Sequence, residues 1–406
     1  MFRLAEVAML EDPSFRQWTI TVTSGNINKV AQHLQKAKIK GIQDLKKFKL
    51  FLDISCVDHE KLAQFWQTWQ EHVYGVHVDP PCPLIMARIP MLETLSMYLE
   101  DYEEPEVVQT SKDNLKEILQ LSVPNLKKLC LNGLYFGLGD LSSLANVGNN
   151  LETLKLCQIR KIGFVRPILN VCKNITKLEI SDQGRALLEK NLELPALKHL
   201  TIDNCQDGVR FLRDNAANLE SLFFKETTGN YKPSGFKLYE MCCWMKLPKL
   251  KTFICLALHM ERIWLRVIEA SANSLENLVF WGMPGYSPGL NKLRKLAFSC
   301  QQLEEGSMNL LYRKPFLNLE QVAFFDVVDS NFSIKAFKGY GADFNKSLPS
   351  LKKISLFVGD KDQHTDLQQV REDGRVLKSV YATAKIDVGR GNFEKFVKKF
   401  ALSHHF

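Results

Sequence analysis

A short phrase recurs along this chain, and it limits the possible folds more than any other feature. It consists of a leucine or isoleucine, a mostly charged residue, any residue, an apolar residue, any residue and a second apolar residue. From Leu126 to Leu275 the copies begin 22 to 31 residues apart. The eleven clear copies begin at Leu92, Leu126, Leu151, Ile175, Leu197, Leu219, Leu250, Leu275, Leu293, Leu319 and Leu351.

Each copy predicts a short strand, because its last two apolar residues alternate with other residues and so share one face. One such unit cannot bury its apolar face alone, whereas stacked neighbours share a continuous core. Helical spacing of apolar residues at 57–69, 164–172 and 263–270 predicts return helices between strands. The period is typical of a leucine-rich repeat. We therefore predict an α/β right-handed leucine-rich-repeat solenoid, a horseshoe with parallel strands on its concave face and helices on its convex face.

Weaker copies extend the pattern towards the N-terminus. They begin at Phe15, Leu45 and Val73, and residues 26–38 read as a helix between the first two. We assign residues 15–391 to the solenoid. Residues 392–406 place aromatic residues on one helical stripe and lysines opposite, which predicts a helix that caps the last repeat. The alternative is a helix that lies on a membrane surface.

Charge, apolar runs and cysteine spacing limit the classes of function and the cellular locations that we expect. The chain has 53 basic and 45 acidic residues, a net charge of +8, with no basic block interleaved with aromatics, which argues against nucleic-acid binding. The sequence contains no run of 18 apolar residues, so we predict no membrane span. Charges between Met1 and Asp12 argue against a secretory signal. The ten cysteines form no CxxC pair, so we expect reduced thiols in the cytoplasm, the nucleus or both.

Motifs for chemistry do not occur in the sequence. It contains no nucleophile elbow, no phosphate-binding loop, no HExxH and no kinase signature. The nine histidines are scattered, and no ligand spacing suits zinc. We therefore predict a binding protein that is not an enzyme and uses neither a cofactor nor a metal.

The concave face is the predicted binding site for a protein substrate. Residues beside the buried pair in each strand point to it. They are polar or basic in the earlier repeats and apolar in the later ones. A partner segment would cover the apolar stripe, or an insertion such as residues 227–248 would fold over it. The candidate residues are Lys128, Lys155, Lys177, His199, Asp203, Phe223, Ile254, Leu256, Val279, Trp281, Phe325 and Phe357.

The repeats and the N-terminal residues together resemble the intracellular F-box/leucine-rich-repeat proteins, particularly the expanded arthropod type. The segment from Phe2 to Trp18 looks like the exit of an F-box, with residues 12–15 matching the family's Asp-Pro-x-Phe. Leu4 stands where the family often has tryptophan. The family's Leu-Pro-x-Glu opening and first two helices do not occur, so we interpret residues 1–14 as the remnant of an F-box exit helix.

The resemblance implies a substrate-recognition subunit of an SCF-type ubiquitin ligase. Such a subunit binds a protein substrate on the concave face and positions it for ubiquitin transfer by other subunits. A Skp-type adaptor and a cullin are further expected partners if an F-box lies upstream. The alternative is a non-ligase scaffold of the same fold that lacks a working F-box.

Overall fold

The structure is a computed structural model that describes most of the repeated segments. The described residues are 18–23, 25–39, 48–53, 64–65, 67–78, 92–98, 125–132, 145–157, 165–181, 192–203, 208–225, 245–256, 261–280, 289–299, 316–325, 348–359, 370–371, 374–375, 377–378, 384–391 and 393–401. Contacts divide the chain into two compact units, Met1–Ala186 and Leu187–Phe406.

The first unit contains parallel strands that pair in the order of the sequence. A bulge between Leu50 and Phe51 interrupts the pairing of the second and third strands. The strands are β1 (Trp18–Val22), β2 (Phe48–Asp53), β3 (Val73–Val78), β4 (Thr94–Tyr98), β5 (Lys128–Asn132), β6 (Thr153–Cys157) and β7 (Lys177–Ser181).

The second unit repeats this arrangement, again with every described pair parallel and in sequence order. Its strands are β8 (His199–Asp203), β9 (Ser221–Lys225), β10 (Thr252–Leu256), β11 (Asn277–Phe280), β12 (Lys295–Ser299), β13 (Gln321–Phe325), β14 (Lys353–Gly359) and β15 (Lys385–Gly391). Each unit is therefore an α/β, all-parallel open sheet, as stacked strand–connection repeats require.

Few helices accompany the strands in the described residues. Those with complete bounds are α1 (Ile27–Ile39), α2 (Ala145–Gly148), α3 (Val165–Val171), α4 (Gly208–Asn215), α5 (Glu261–Ala270) and α6 (Phe393–Ala401), with short 3-10 turns at Gln70–His72 and Ala216–Asn218. Residues 64–65 and 67–69, which belong to the predicted helix at 57–69, are also helical, as are 370–371, 374–375 and 377–378. The predicted helices near 26–38, 164–172 and 263–270 are confirmed. No helix in the described part of the chain is long and apolar enough to span a membrane.

The main core lies on one face of each sheet, which we call the core face. In β5 to β8 the second and fourth strand residues are buried and their neighbours are more exposed. The first leucine of each phrase is also buried, most of them completely. All eleven predicted copies form strands, and the alternation correctly predicted the buried pair on the core face, whereas in β9 to β13 the intervening residues are buried as well.

The last strand, β15, was not predicted. Its pairing aligns Lys385 with Lys353. In the sequence Thr383 stands two residues before Lys385, as Leu351 stands two residues before Lys353. The phrase lacks its first leucine there, although Ile386 and Val388 keep the strand alternation.

Candidate protein-binding face

The face opposite the core face carries the predicted binding residues, and we call it the second face. In the first unit it is polar. Pairing aligns Lys128 with Thr153 and Thr153 with Lys177, which forms one row across β5 to β7. Lys128 is exposed and Lys177 is half-buried. The two lysines can form charge-assisted hydrogen bonds with a partner that lies across the strands.

Lys155 occupies the centre of the next row. Its Nζ atom lies 2.7 Å from Glu179 Oε1, and pairing places Cys130 beside it on the other side. Burial acts to lower the pKa of Lys155, but the hydrogen bond and charge of Glu179 outweigh it, so the pKa is raised. Lys155 is therefore held in its charged form by a neighbour and is less available to a partner than Lys128.

The first strands of the second unit carry polar pairs on their own second face. His199 Nδ1 lies 2.8 Å from Ser221 Oγ, and Lys225 Nζ lies 3.6 Å from Asp203 Oδ2. All four side chains are half-buried. The predicted residues His199 and Asp203 thus already have partners within the unit.

An apolar row follows across β9 to β13. Pairing aligns Phe223, Ile254, Val279, Ala297 and Ala323 as immediate neighbours. A flanking row contributes Leu256, Phe325 and Phe357, and all of these residues are at most 6% exposed. The sequence alone leaves open whether a partner or a segment of the chain covers this stripe, and in the structure the stripe is buried within the chain.

Helix α6 lies against the stripe. Val397, Phe400 and Ala401 belong to the same buried cluster as the apolar row, and Phe396 packs on it. The ring of Phe396 stacks on that of Phe357 at a centroid distance of 4.2 Å and an angle of 14°. A helix with one apolar face buries that face wherever a complementary surface is available, and here the surface is the second face of the sheet.

A polar contact fixes the end of the helix. Lys295 Nζ donates a hydrogen bond to the main-chain oxygen of Phe400 at 3.0 Å. Burial lowers the pKa of Lys295, and the nearby charge of Arg294 lowers it further. The last carbonyls of a helix have no hydrogen-bond donor within the helix, and its C-terminus carries a partial negative charge. The positively charged Lys295, which lies on a strand, interacts favourably with both.

This position differs from the expectation that the C-terminal helix caps the last repeat. The contacts of α6 are chiefly with β11 and β14, on the second face. The insertion that we considered as a cover, residues 227–248, lies outside the described residues except for 245–248. Trp281 and residues 1–17 also lie outside them, so the position of Trp281 and the F-box-like segment are not described.

Sequence reasoning missed the signal that a helix would pack here. Ala297 and Ala323 are small residues within an otherwise large apolar row, and the next residue in line is Ser355. Small side chains let a helix backbone approach a sheet closely, so a run of them in line with large apolar residues could have indicated an internal partner.

Among the described residues, no group of three or more His, Cys, Asp or Glu side chains could hold a metal ion. No protein-family model matches this sequence. No curated protein matches it either.

Proposed function

We propose that this chain is a right-handed leucine-rich-repeat protein whose second face, the concave face of that fold, binds protein segments. The observation that carries the proposal is α6, an amphipathic helix bound on the apolar row of that face. A face that holds one such segment within the chain has the shape and chemistry to bind a protein. The polar row of the first unit supplies exposed lysine for charged contacts.

Within this class, the proposed role is substrate recognition for an SCF-type ubiquitin ligase. The support is the resemblance of residues 2–18 to an F-box exit, followed directly by the repeats. The chain would position a substrate protein, while other subunits perform the transfer. A cytoplasmic or nuclear location belongs to the same proposal.

Affinity purification of the tagged chain tests the binding role. We expect a protein partner to be recovered with the wild type and lost with Lys128→Glu/Lys177→Glu, because the substitutions reverse the charge of the polar row. Lys173→Glu is the matched control, since Lys173 is exposed but outside any strand. Equal recovery with all three chains would contradict a role for this face.

The ligase role has a separate test. We expect a Skp-type adaptor and a cullin to be recovered with the chain extended by its upstream coding sequence, and to be retained by the lysine variants. If neither is recovered with either form, the ligase role is wrong and the scaffold alternative stands.

A further inference from the structure

Helix α6 and its binding surface are separate from the main core of the second unit. The main core lies on the core face, where Phe253, Phe298 and Phe324 are completely buried. Phe298 and Phe324 pack edge to face there, at a centroid distance of 4.8 Å. The cluster under α6 lies on the opposite side of the same strands. Removal of the helix would therefore leave the main core in place.

The surface under α6 has the form of a helix-binding groove, which we call the seat. Its floor contains the small residues Ala297 and Ala323, and its walls contain Ile254, Phe325 and Phe357. The helix presents apolar side chains at positions 396, 397, 400 and 401, the spacing of one helical face. Lys295 bonds the carbonyl of Phe400 and so also selects the direction of the helix.

The helix itself depends on the seat. It has nine residues and is about 14 Å long. Helices shorter than about 12 residues are marginal in water, so α6 forms stably only when docked. One residue separates the end of β15 at Gly391 from Phe393, and such a short link gives an effective concentration on the order of millimolar.

We propose that the seat is a regulated peptide-binding groove, and that α6 is the resident occupant which a partner helix replaces. The partner is an amphipathic helix with apolar residues at i, i+1, i+4 and i+5 and an accessible C-terminal turn. It displaces α6 because both compete for the same floor and for Lys295. This inference rests on the proposed function, since it adds regulation to the same protein-binding face.

A peptide of residues 392–406 of this chain serves as the probe. In the full chain, Val397→Asp/Phe400→Asp places charges in the buried face of α6 and undocks it. We expect this variant to bind the fluorescent peptide saturably in an anisotropy titration. The wild type should bind at least about tenfold more weakly, because its own helix competes.

Lys399→Asp is the matched control, because Lys399 lies on α6 but is exposed. It should behave as the wild type, and a peptide carrying Val397→Asp should not bind the undocked variant. A folded Val397→Asp/Phe400→Asp chain that fails to bind the peptide overturns the proposal. The proposal is also overturned if the wild type is a dimer and Val397→Asp makes it a monomer, because the helix of a second copy would then occupy the seat.

Hydrogen exchange on the unmodified full chain decides the matter if the double variant does not fold. We expect the amides of α6 to exchange faster than those of β11 to β13, because the helix leaves its seat while the sheet stays intact. Exchange of the helix only together with these strands would make α6 a permanent part of the fold and overturn the proposal. The two proposals can fail separately. If the undocked variant binds the peptide but Lys128→Glu/Lys177→Glu does not reduce partner recovery, only the proposed role of the polar row is refuted.

Discussion

Asn215 links neighbouring repeats through one buried side chain. Its Oδ1 atom accepts a hydrogen bond from the main-chain nitrogen of Leu194 at 2.6 Å. Its Nδ2 atom donates to the main-chain oxygens of Leu192 at 2.8 Å and Phe211 at 3.0 Å. The residue is 6% exposed, so water does not easily replace these bonds. The Asn215 side chain therefore forms hydrogen bonds with main-chain groups of both the segment before β8 and helix α4.

We expect Asn215→Ala to lower the free energy of unfolding by about 3 kcal/mol, because it leaves several buried main-chain groups without partners. Asn218→Ala is the control. That half-buried side chain donates to the oxygen of Pro195 at 3.0 Å, and its loss should cost less than about 1 kcal/mol. Urea denaturation of both variants measures the difference. Equal losses would show that burial of the Asn215 bonds does not matter.

Helices α2 and α3 approach each other at a glycine. A Cβ atom added to Gly148 would lie 2.9 Å from the carbonyl carbon of Val171 and 3.3 Å from the sulfur of Cys172. The obstacle is mainly backbone, which cannot move as a flexible side chain does. The spacing of these two connections therefore depends on a residue without a side chain.

Gly148→Ala should destabilise the protein by about 1–3 kcal/mol, since the extra methyl group must push α2 and α3 apart. Gly25→Ala is the matched control, because the nearest atom to its added Cβ would be 3.9 Å away. Thermal melts followed by circular dichroism compare the two variants. A Gly148→Ala chain as stable as Gly25→Ala would mean that the helices separate without cost.

In each unit the charged residue of the repeated phrase alternates in sign from one strand to the next, and Thr176 interrupts the series between Glu152 and Lys198. In the first unit Glu93, Lys127 and Glu152 alternate, and in the second unit the series is Lys198, Glu220, Lys251, Glu276, Arg294, Glu320 and Lys352. Main-chain hydrogen bonds join these residues in the same order. In the second unit each of the three acids therefore lies between bases of the neighbouring strands, which favours the observed order of strands over one that places like charges together.

Two acids of this series form ion pairs on both sides. Glu220 lies 3.3 Å from Lys198 and 4.0 Å from Lys251, measured between the charged atoms. Glu320 lies 2.8 Å from Arg294 and 3.4 Å from Lys352. Burial acts to raise the pKa of Glu220, but its two lysines more than reverse this, and the pKa is lowered. The hydrogen bond from Arg294 is the main cause of the lowered pKa of Glu320.

These shifts predict the direction of the pH dependence of stability. An acid whose pKa is lower in the folded state stabilises the fold above its ordinary pKa, 4.5 for glutamate, and this contribution is lost as the pH falls through the lower folded value. The contribution of both acids to the melting temperature should therefore stay constant from pH 7 to about pH 5 and decrease below pH 4.5.

Calorimetry of wild type and Glu220→Gln/Glu320→Gln across this range checks the expectation. The variant should melt slightly lower at pH 7, because exposed ion pairs each contribute about 0.5 kcal/mol, and the difference should shrink in acid. Parallel curves for the two proteins at every pH would contradict the assignment.

The repeated phrase predicted most of the strands and their buried residues, because alternation over six residues is a local property that burial in a stack satisfies in only one way. It did not predict β15, where Thr383 replaces the first leucine. It predicted the apolar character of residues such as Phe223 and Ile254 but not their cover. An apolar stripe on a strand face indicates that some segment covers it. Several segments of this chain have enough apolar residues to do so, and the sequence pattern does not choose among them.

Local patterns were therefore enough to predict the strand repeat, the parallel order that stacked repeats require and an amphipathic C-terminal helix. The place of this helix on the second face depends on tertiary packing. Lys295 and Phe400 are 105 residues apart, and their contact depends on how the intervening strands bring Ala297, Ala323 and Phe357 together into one seat. A local pattern carries no information about that distance, because it arises from the summed geometry of all the repeats between them.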